Sequence, residues 1–155
     1  MDEATKQVWP PPGVKWYYQD DAVCIAHGDC REIVPGLGRF DLLLTDPPYG
    51  IGSCWKGGFS NKHGWGKAKD EAVTRNEWDA EAPDIEWLLD VATVSIVWGG
   101  NHFNLPLSRS WVVWNKPERG FSLSEAELAW TNRDNVVRVF DHKRSDNGRQ
   151  HPTQK

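Results

Sequence analysis

The residues best suited to chemistry are four in a row, Asp46-Pro47-Pro48-Tyr49, directly after the apolar run Phe40 to Thr45. Two successive prolines fix φ and restrict the residue before each, so the turn is stiff and cannot continue a β-ladder. Such a turn can hold the Asp46 carboxylate and the Pro47 carbonyl as two fixed acceptors, with the Tyr49 ring beside them. Two convergent acceptors and an aromatic face suit an exocyclic amino group on a flat ring, which has two N–H donors and a surface to stack upon. The lone pair of that nitrogen is normally delocalised into its ring. Pinning both N–H bonds favours a more tetrahedral nitrogen, whose lone pair can point at an electrophile such as a sulfonium methyl. The proton becomes acidic only after transfer, so positioning carries the chemistry.

Elements able to hold this turn can be read on both sides of it. Residues 1–13, with Pro10, Pro11 and Pro12, read as an extended tail. A hairpin follows: Val14 to Tyr18, a turn at Gln19-Asp20-Asp21, then Ala22 to His27. Gly28-Asp29 closes it, and a short helix is expected around Cys30 to Val34. Phe40 to Thr45 is nearly continuous in apolar residues and reads as a central strand covered on both faces. Residues 50–70 hold six glycines and four lysines against one aspartate, net +3, and read as a basic loop that could close as a lid. Residues 71–90 carry seven acids against Arg75. They lead into an expected helix near Asp84 to Ala92, with Ile85, Leu88 and Leu89 on one side. Further strands are expected at Val94 to Trp98 and Trp111 to Trp114, with Ala126 to Trp130 and Val136 to Phe140 as a late antiparallel pair. Strands with helical connections indicate an α/β sheet with its site along the carboxyl edge, where Asp46 and Gly99 both fall.

Composition narrows the partners. Net charge is −4 and the pI about 5.7, so any nucleic-acid contact needs a local basic patch. Residues 131–150 supply one, with Arg133, Arg138, Lys143, Arg144 and Arg149 against three aspartates, net +2. Three cysteines without paired short spacing argue against a disulfide framework or a structural zinc site. His27, between Cys24 and Cys30, reads as packing rather than a metal ligand. Most of the ten tryptophans should pack the core. The N-terminus lacks a basic start and an apolar run, and no stretch approaches the roughly 20 apolar residues of a membrane helix, so the cytoplasm is the expected location.

The segment Leu42-Leu43-Leu44-Thr45-Asp46-Pro47-Pro48-Tyr49-Gly50 resembles the catalytic motif of the amino-group DNA methyltransferases, which modify N6 of adenine or N4 of cytosine. The likeness extends to Gly28-Asp29-Cys30, Trp98-Gly99-Gly100-Asn101-His102-Phe103, Trp111 to Lys116, Ala126 to Asn132, His142-Lys143-Arg144 and His151-Pro152-Thr153-Gln154-Lys155. Their order is similar to that of the subgroup in which the catalytic half precedes the cofactor-binding half. The resemblance implies a Rossmann-like S-adenosylmethionine-dependent methyltransferase sheet with helices on both faces, and duplex DNA as partner. Adenine is the expected target because the motif is led by Asp; cytosine N4 is the alternative. By the resemblance, Asp46, Pro47 and Pro48 form the turn that binds the target amino group, and Tyr49 stacks on a base flipped from the duplex. Asp29 and Cys30, with Thr153, Gln154 and Lys155, would hold the cofactor. Lys56, Lys62, Lys143, Arg144 and Arg149 would meet DNA. Asn101 and His102 could shape the pocket floor or serve as capping and packing residues.

The cysteines follow Val23, Asp29 and Ser53 rather than a proline, which argues against methylation at ring carbon. After HPTQK the family continues with a strand and a glycine-rich cofactor loop beside the Phe40–Thr45 strand. The sequence here ends at Lys155, so the expectation is an incomplete sheet, finished by a further segment or a second chain. A compact enzyme of this kind would suit a bacterium or its phage. A non-catalytic remnant that binds DNA or a partner is the contrasting expectation.

Overall fold

The computed structural model describes residues 10–52, 79–120 and 124–143. Strands β1 (Trp16–Gln19) and β2 (Cys24–Ala26) form an antiparallel hairpin. Its turn is closed by Asp20, whose Oδ1 accepts from the backbone N–H groups of Ala22 and Val23 at 2.8 and 2.7 Å. Helix α1 (Cys30–Ile33) follows, capped by Asp29.

Among the described residues the main sheet has five strands: β3 (Phe40–Thr45), β4 (Ala92–Trp98), β5 (Trp111–Asn115), β6 (Ala126–Thr131) and β7 (Arg138–Asp141). Their order is β3-β4-β6-β5-β7. β3 is parallel to β4 and β5 to β7, while β6 is antiparallel to both of its neighbours. Strands β3, β4, β5 and β7 therefore point the same way, and their carboxyl ends share one edge of the sheet. Asn132 fixes β6 against β4: its Oδ1 accepts from Ser95 N–H at 2.9 Å and its Nδ2 donates to the Thr93 carbonyl at 3.2 Å.

The largest apolar cluster lies on one face, while Trp114 and Ala129 are buried on the other. Val97 and Trp130, opposed in register, meet Ile85 and Leu88, with Leu43, Phe103 and Trp111 packed around them. Side chains alternate along a strand, so Leu42 and Leu44 point the other way. They are 52% and 62% exposed. Phe140, edge-on to Trp98 at 6.5 Å, is the partly exposed aromatic of that second face.

Three expectations are corrected. The α/β architecture, a Rossmann-like sheet with helices on both faces, does not form: among the described residues the only α-helix is the four-residue α1. Where a helix was expected near Asp84 to Ala92, only Glu86–Val91 coils, and it does so as a 3-10 segment. Three residues per turn still bring Ile85 and Leu88 to one side, both buried. The next residues are drawn into β4, which begins at Ala92, before an α-helix can propagate. Residues 99–110 and 116–125, which connect β4 to β5 and β5 to β6, add one 3-10 turn and no α-helix among the described residues.

Second, Phe40–Thr45 is not central. β3 ends the sheet order, with β4 as its one neighbour among the described strands. Third, Ala126–Thr131 does not pair with the last strand. β7 lies parallel to β5 on the far side, because both edges of β6 are taken by β4 and β5. Among the described residues no helix is long and apolar enough to cross a membrane.

Candidate functional site

The Asp46-Pro47-Pro48-Tyr49 turn leaves β3 at Thr45. Asp46 is exposed and Tyr49 half-buried. The Tyr49 hydroxyl donates a short hydrogen bond to Asp46 Oδ1, so one oxygen of the carboxylate is oriented from within the turn itself. Gly50, at φ +72°, donates its N–H to Asp79 Oδ1 at 2.8 Å. Asp79 is only 4% exposed and clamps the far end of the turn. Sequence reasoning missed it. Asp79 was counted as one of seven acids in a charged stretch, and nothing in its neighbours distinguished it from the others.

The second wall comes from β4, which lies parallel to β3 with Thr45 opposite Val97. Beyond Trp98 the chain turns off the sheet at Gly99, where φ is +65°. Gly99 N–H stays attached to the Leu128 carbonyl of β6 at 2.8 Å, and His102 N–H returns to the Gly99 carbonyl at 2.8 Å. A side chain at Gly99 would collide with Cδ1, Cε1 and Cζ of Tyr49. The exposed His102 ring stacks on the Tyr49 ring, with centroids 4.9 Å apart and planes 6° from parallel. Phe103 meets the same ring edge-on at 6.3 Å. Two motifs distant in sequence thus meet on one aromatic ring, and the family resemblance assigned none of these ring contacts.

Asp29 is differently engaged. It caps α1 by accepting from Arg31 N–H at 2.9 Å, and Arg31 also grips it with Nε (3.0 and 3.1 Å) and Nη2 (2.5 Å). These contacts hold its carboxyl down at about 2, with the guanidinium hydrogen bonds the largest cause and the backbone hydrogen bond next. A carboxylate offers about four acceptor positions, so Asp29 presents little to a cofactor amino group while Arg31 holds it. Cys30 beside it is exposed. As arranged, this pair does not fit a cofactor's adenine. The depressed pKa means that the Asp29 contribution to folding is present above its ordinary 3.8 and fades as pH falls toward about 2. Arg31→Ala is expected to raise the Asp29 pKa toward its ordinary value, as read by carboxyl carbon NMR titration. An unchanged titration would mean that the helix cap alone sets it.

The remaining predicted residues divide. Lys143 follows β7 and is exposed. Lys56, Lys62, Arg144, Arg149, Thr153, Gln154, Lys155 and the expected lid beyond Gly52 lie outside the described residues. The carboxyl edge holds a cation that was not singled out as a site residue: Lys116, 5% exposed, is ion-paired with Glu127 and sits 4.7 Å from the centroid of the Trp114 ring. Beside it Asn115 donates to Asp141 at 2.6 Å and accepts from Arg119 at 2.7 Å. An open cleft of about 700 Å³, lined by Leu89, Pro106, Arg109, Trp130 and Arg133, lies at the opposite edge of the sheet and includes none of the predicted site residues. Its polar lining includes Ser108 and the Arg109–Asp134 ion pair, and it is separate from the Asp46–Tyr49 turn. In comparisons with protein-family models, curated proteins and solved structures, nothing matches this chain.

Proposed function

We propose that the chain is the catalytic part of a DNA amino-methyltransferase acting on adenine N6, with cytosine N4 as the alternative target. The observation that carries this reading is the Asp46–Tyr49 hydrogen bond in a proline-stiffened turn, against the Gly99–His102 turn of the parallel neighbour strand. With Tyr49 holding Oδ1, Asp46 Oδ2 can accept one N–H of a target amino group and the Pro47 carbonyl the other. A base lifted from the duplex would be read by these acceptors together with the aromatic wall. S-adenosylmethionine would supply the electrophilic methyl, and among the described residues no set is arranged to hold it. Lys143, with Arg144 and Arg149, is the patch proposed to meet the DNA backbone.

A second reading has one observation in its favour. The commitment of Asp29 to Arg31 suits a chain that binds DNA or a partner without a cofactor. One assay separates the two. Labelled S-adenosylmethionine is incubated with unmethylated duplexes containing only adenine or only cytosine amino targets on the modifiable strand. Label transferred to adenine-containing duplex supports the first reading. Duplex binding without transfer, at any cofactor concentration, supports the second.

A further inference from the structure

We infer that His102 is a positioning residue, whose imidazole backs the Tyr49 ring and so keeps the Tyr49 hydroxyl on Asp46. The inference rests on the reading of Asp46 and Tyr49 as the amino-binding pair. His102 itself is anchored. It sits in a tight turn at the end of an inner strand, its N–H bonded to the Gly99 carbonyl at 2.8 Å. Tyr49, by contrast, stands on a loop leaving the edge strand β3, and two side-chain torsions separate its hydroxyl from any fixed backbone. Left alone, the ring could swing about both torsions.

Three contacts with described residues limit that motion. The Gly99 backbone lies against Cδ1, Cε1 and Cζ, Phe103 touches the ring edge-on at 6.3 Å, and His102 lies flat on it at 4.9 Å and 6°. The flat contact is the one that sets the plane of the ring, and the ring plane sets the direction of the hydroxyl. His102 is exposed, so the stack fills no core space. Its neighbour Phe103, half-buried and packed against the core cluster, cannot take its place. What the position requires is a flat ring. A residue without one would leave Asp46 with a wandering donor, and the carboxylate free to turn away from the amino group.

The test uses the full chain with His102→Leu and His102→Phe, each assayed for methyl transfer to duplex DNA. In parallel, the tyrosine rings are labelled with carbon-13; there are only three, and Tyr49→Phe assigns the third. His102→Leu is expected to lower kcat about tenfold with little change in KM for DNA, the signature of a misplaced group. Its Tyr49 ring signal should move downfield as the stacked neighbour is lost. His102→Phe should keep both the rate and the signal near those of the unchanged protein. The inference is overturned if His102→Leu leaves kcat intact, acts through KM alone, or speeds the reaction; the last would make His102 an occupant of the base's place. It is equally overturned if phenylalanine fails to restore the rate. If the unchanged chain transfers no methyl group, the functional reading fails by itself, and the Tyr49 signal still decides. A signal that moves in His102→Leu and stays in His102→Phe keeps the positioning role at a site of other chemistry, and one that stays in both removes it.

Discussion

Asp46→Ala is expected to lower the rate of methyl transfer by about 10²–10³-fold while the chain stays folded, the range seen when one preorganised hydrogen-bonding group is removed from a polar catalytic site. The two halves of this expectation have separate causes. On the proposed function the carboxylate accepts one N–H of the target amino group, and alanine offers nothing in its place. The nitrogen then keeps its lone pair in the ring. Stability should barely change, because Asp46 is exposed, and truncating an exposed side chain usually costs within about 0.5 kcal/mol. The Tyr49 hydroxyl, which it holds, stands at the surface of the turn and can bond to water once released. Asp46→Asn is the informative companion. It keeps an oxygen that can accept, but without charge, and it can place an N–H where the carboxylate had an acceptor, so an intermediate loss is expected. Initial rates with labelled methyl donor, alongside thermal melting of both variants, check the expectation. A loss under tenfold in a folded Asp46→Ala would remove Asp46 from the chemistry.

Much of the sheet was legible because its strands are apolar runs of strand length bounded by breakers. Phe40 to Thr45 stops at Asp46-Pro47-Pro48 and the strand ending at Trp98 stops at Gly99-Gly100, and both bounds fall where the structure has them. What failed was inference about neighbours. A leucine-rich run suggests burial on both faces, yet only Leu43 packs against the core while Leu42 and Leu44 remain exposed. Strands adjacent in sequence suggest a hairpin, but β6 has both edges taken by β4 and β5, and Asn132 reinforces the first pairing by reaching back 37 and 39 residues to Ser95 and Thr93. The spacing of Ile85, Leu88 and Leu89 satisfies an α-helix and a 3-10 segment alike over so short a stretch. Helices on both faces had followed from the resemblance and from that spacing.

The site divides in the same way. The Asp-Pro-Pro-Tyr turn was legible because its stiffness is local and covalent. The contact of Tyr49 with His102 was not, because no periodicity joins a residue to one 53 positions later. Asp79 was hidden for a different reason: a buried carboxylate that clamps a turn has the same letter as one that faces water. The resemblance alone places Asp29 at the cofactor, whereas the bidentate grip of Arg31 on it is a matter of side-chain geometry.

Gly99→Ala should damage both the fold and the reaction, and the two effects share one atom. At φ +65° a β-carbon is unfavourable by about 1–2 kcal/mol from the backbone alone. The same carbon lands on the Tyr49 ring, and overpacking of this kind adds about 1–3 kcal/mol. The sum of about 2–5 kcal/mol corresponds to a fall in Tm on the order of 10 °C for a chain of this size. Gly120→Ala separates the terms, since Gly120 has φ +82° and no described residue where a β-carbon would stand. It should show the backbone cost without the collision. The reaction should be lost at Gly99→Ala and untouched at Gly120→Ala, because only at Gly99 must the tyrosine ring move, and with it the hydroxyl on Asp46. Pairing Gly99→Ala with Tyr49→Ala takes the argument one step further. Once the ring is gone, the remaining cost at Gly99 should fall to that measured at Gly120. Equal melting losses for Gly99→Ala and Gly120→Ala in the presence of Tyr49 would mean that the ring does not rest on Gly99 in solution, and the aromatic wall of the site would have to be placed elsewhere.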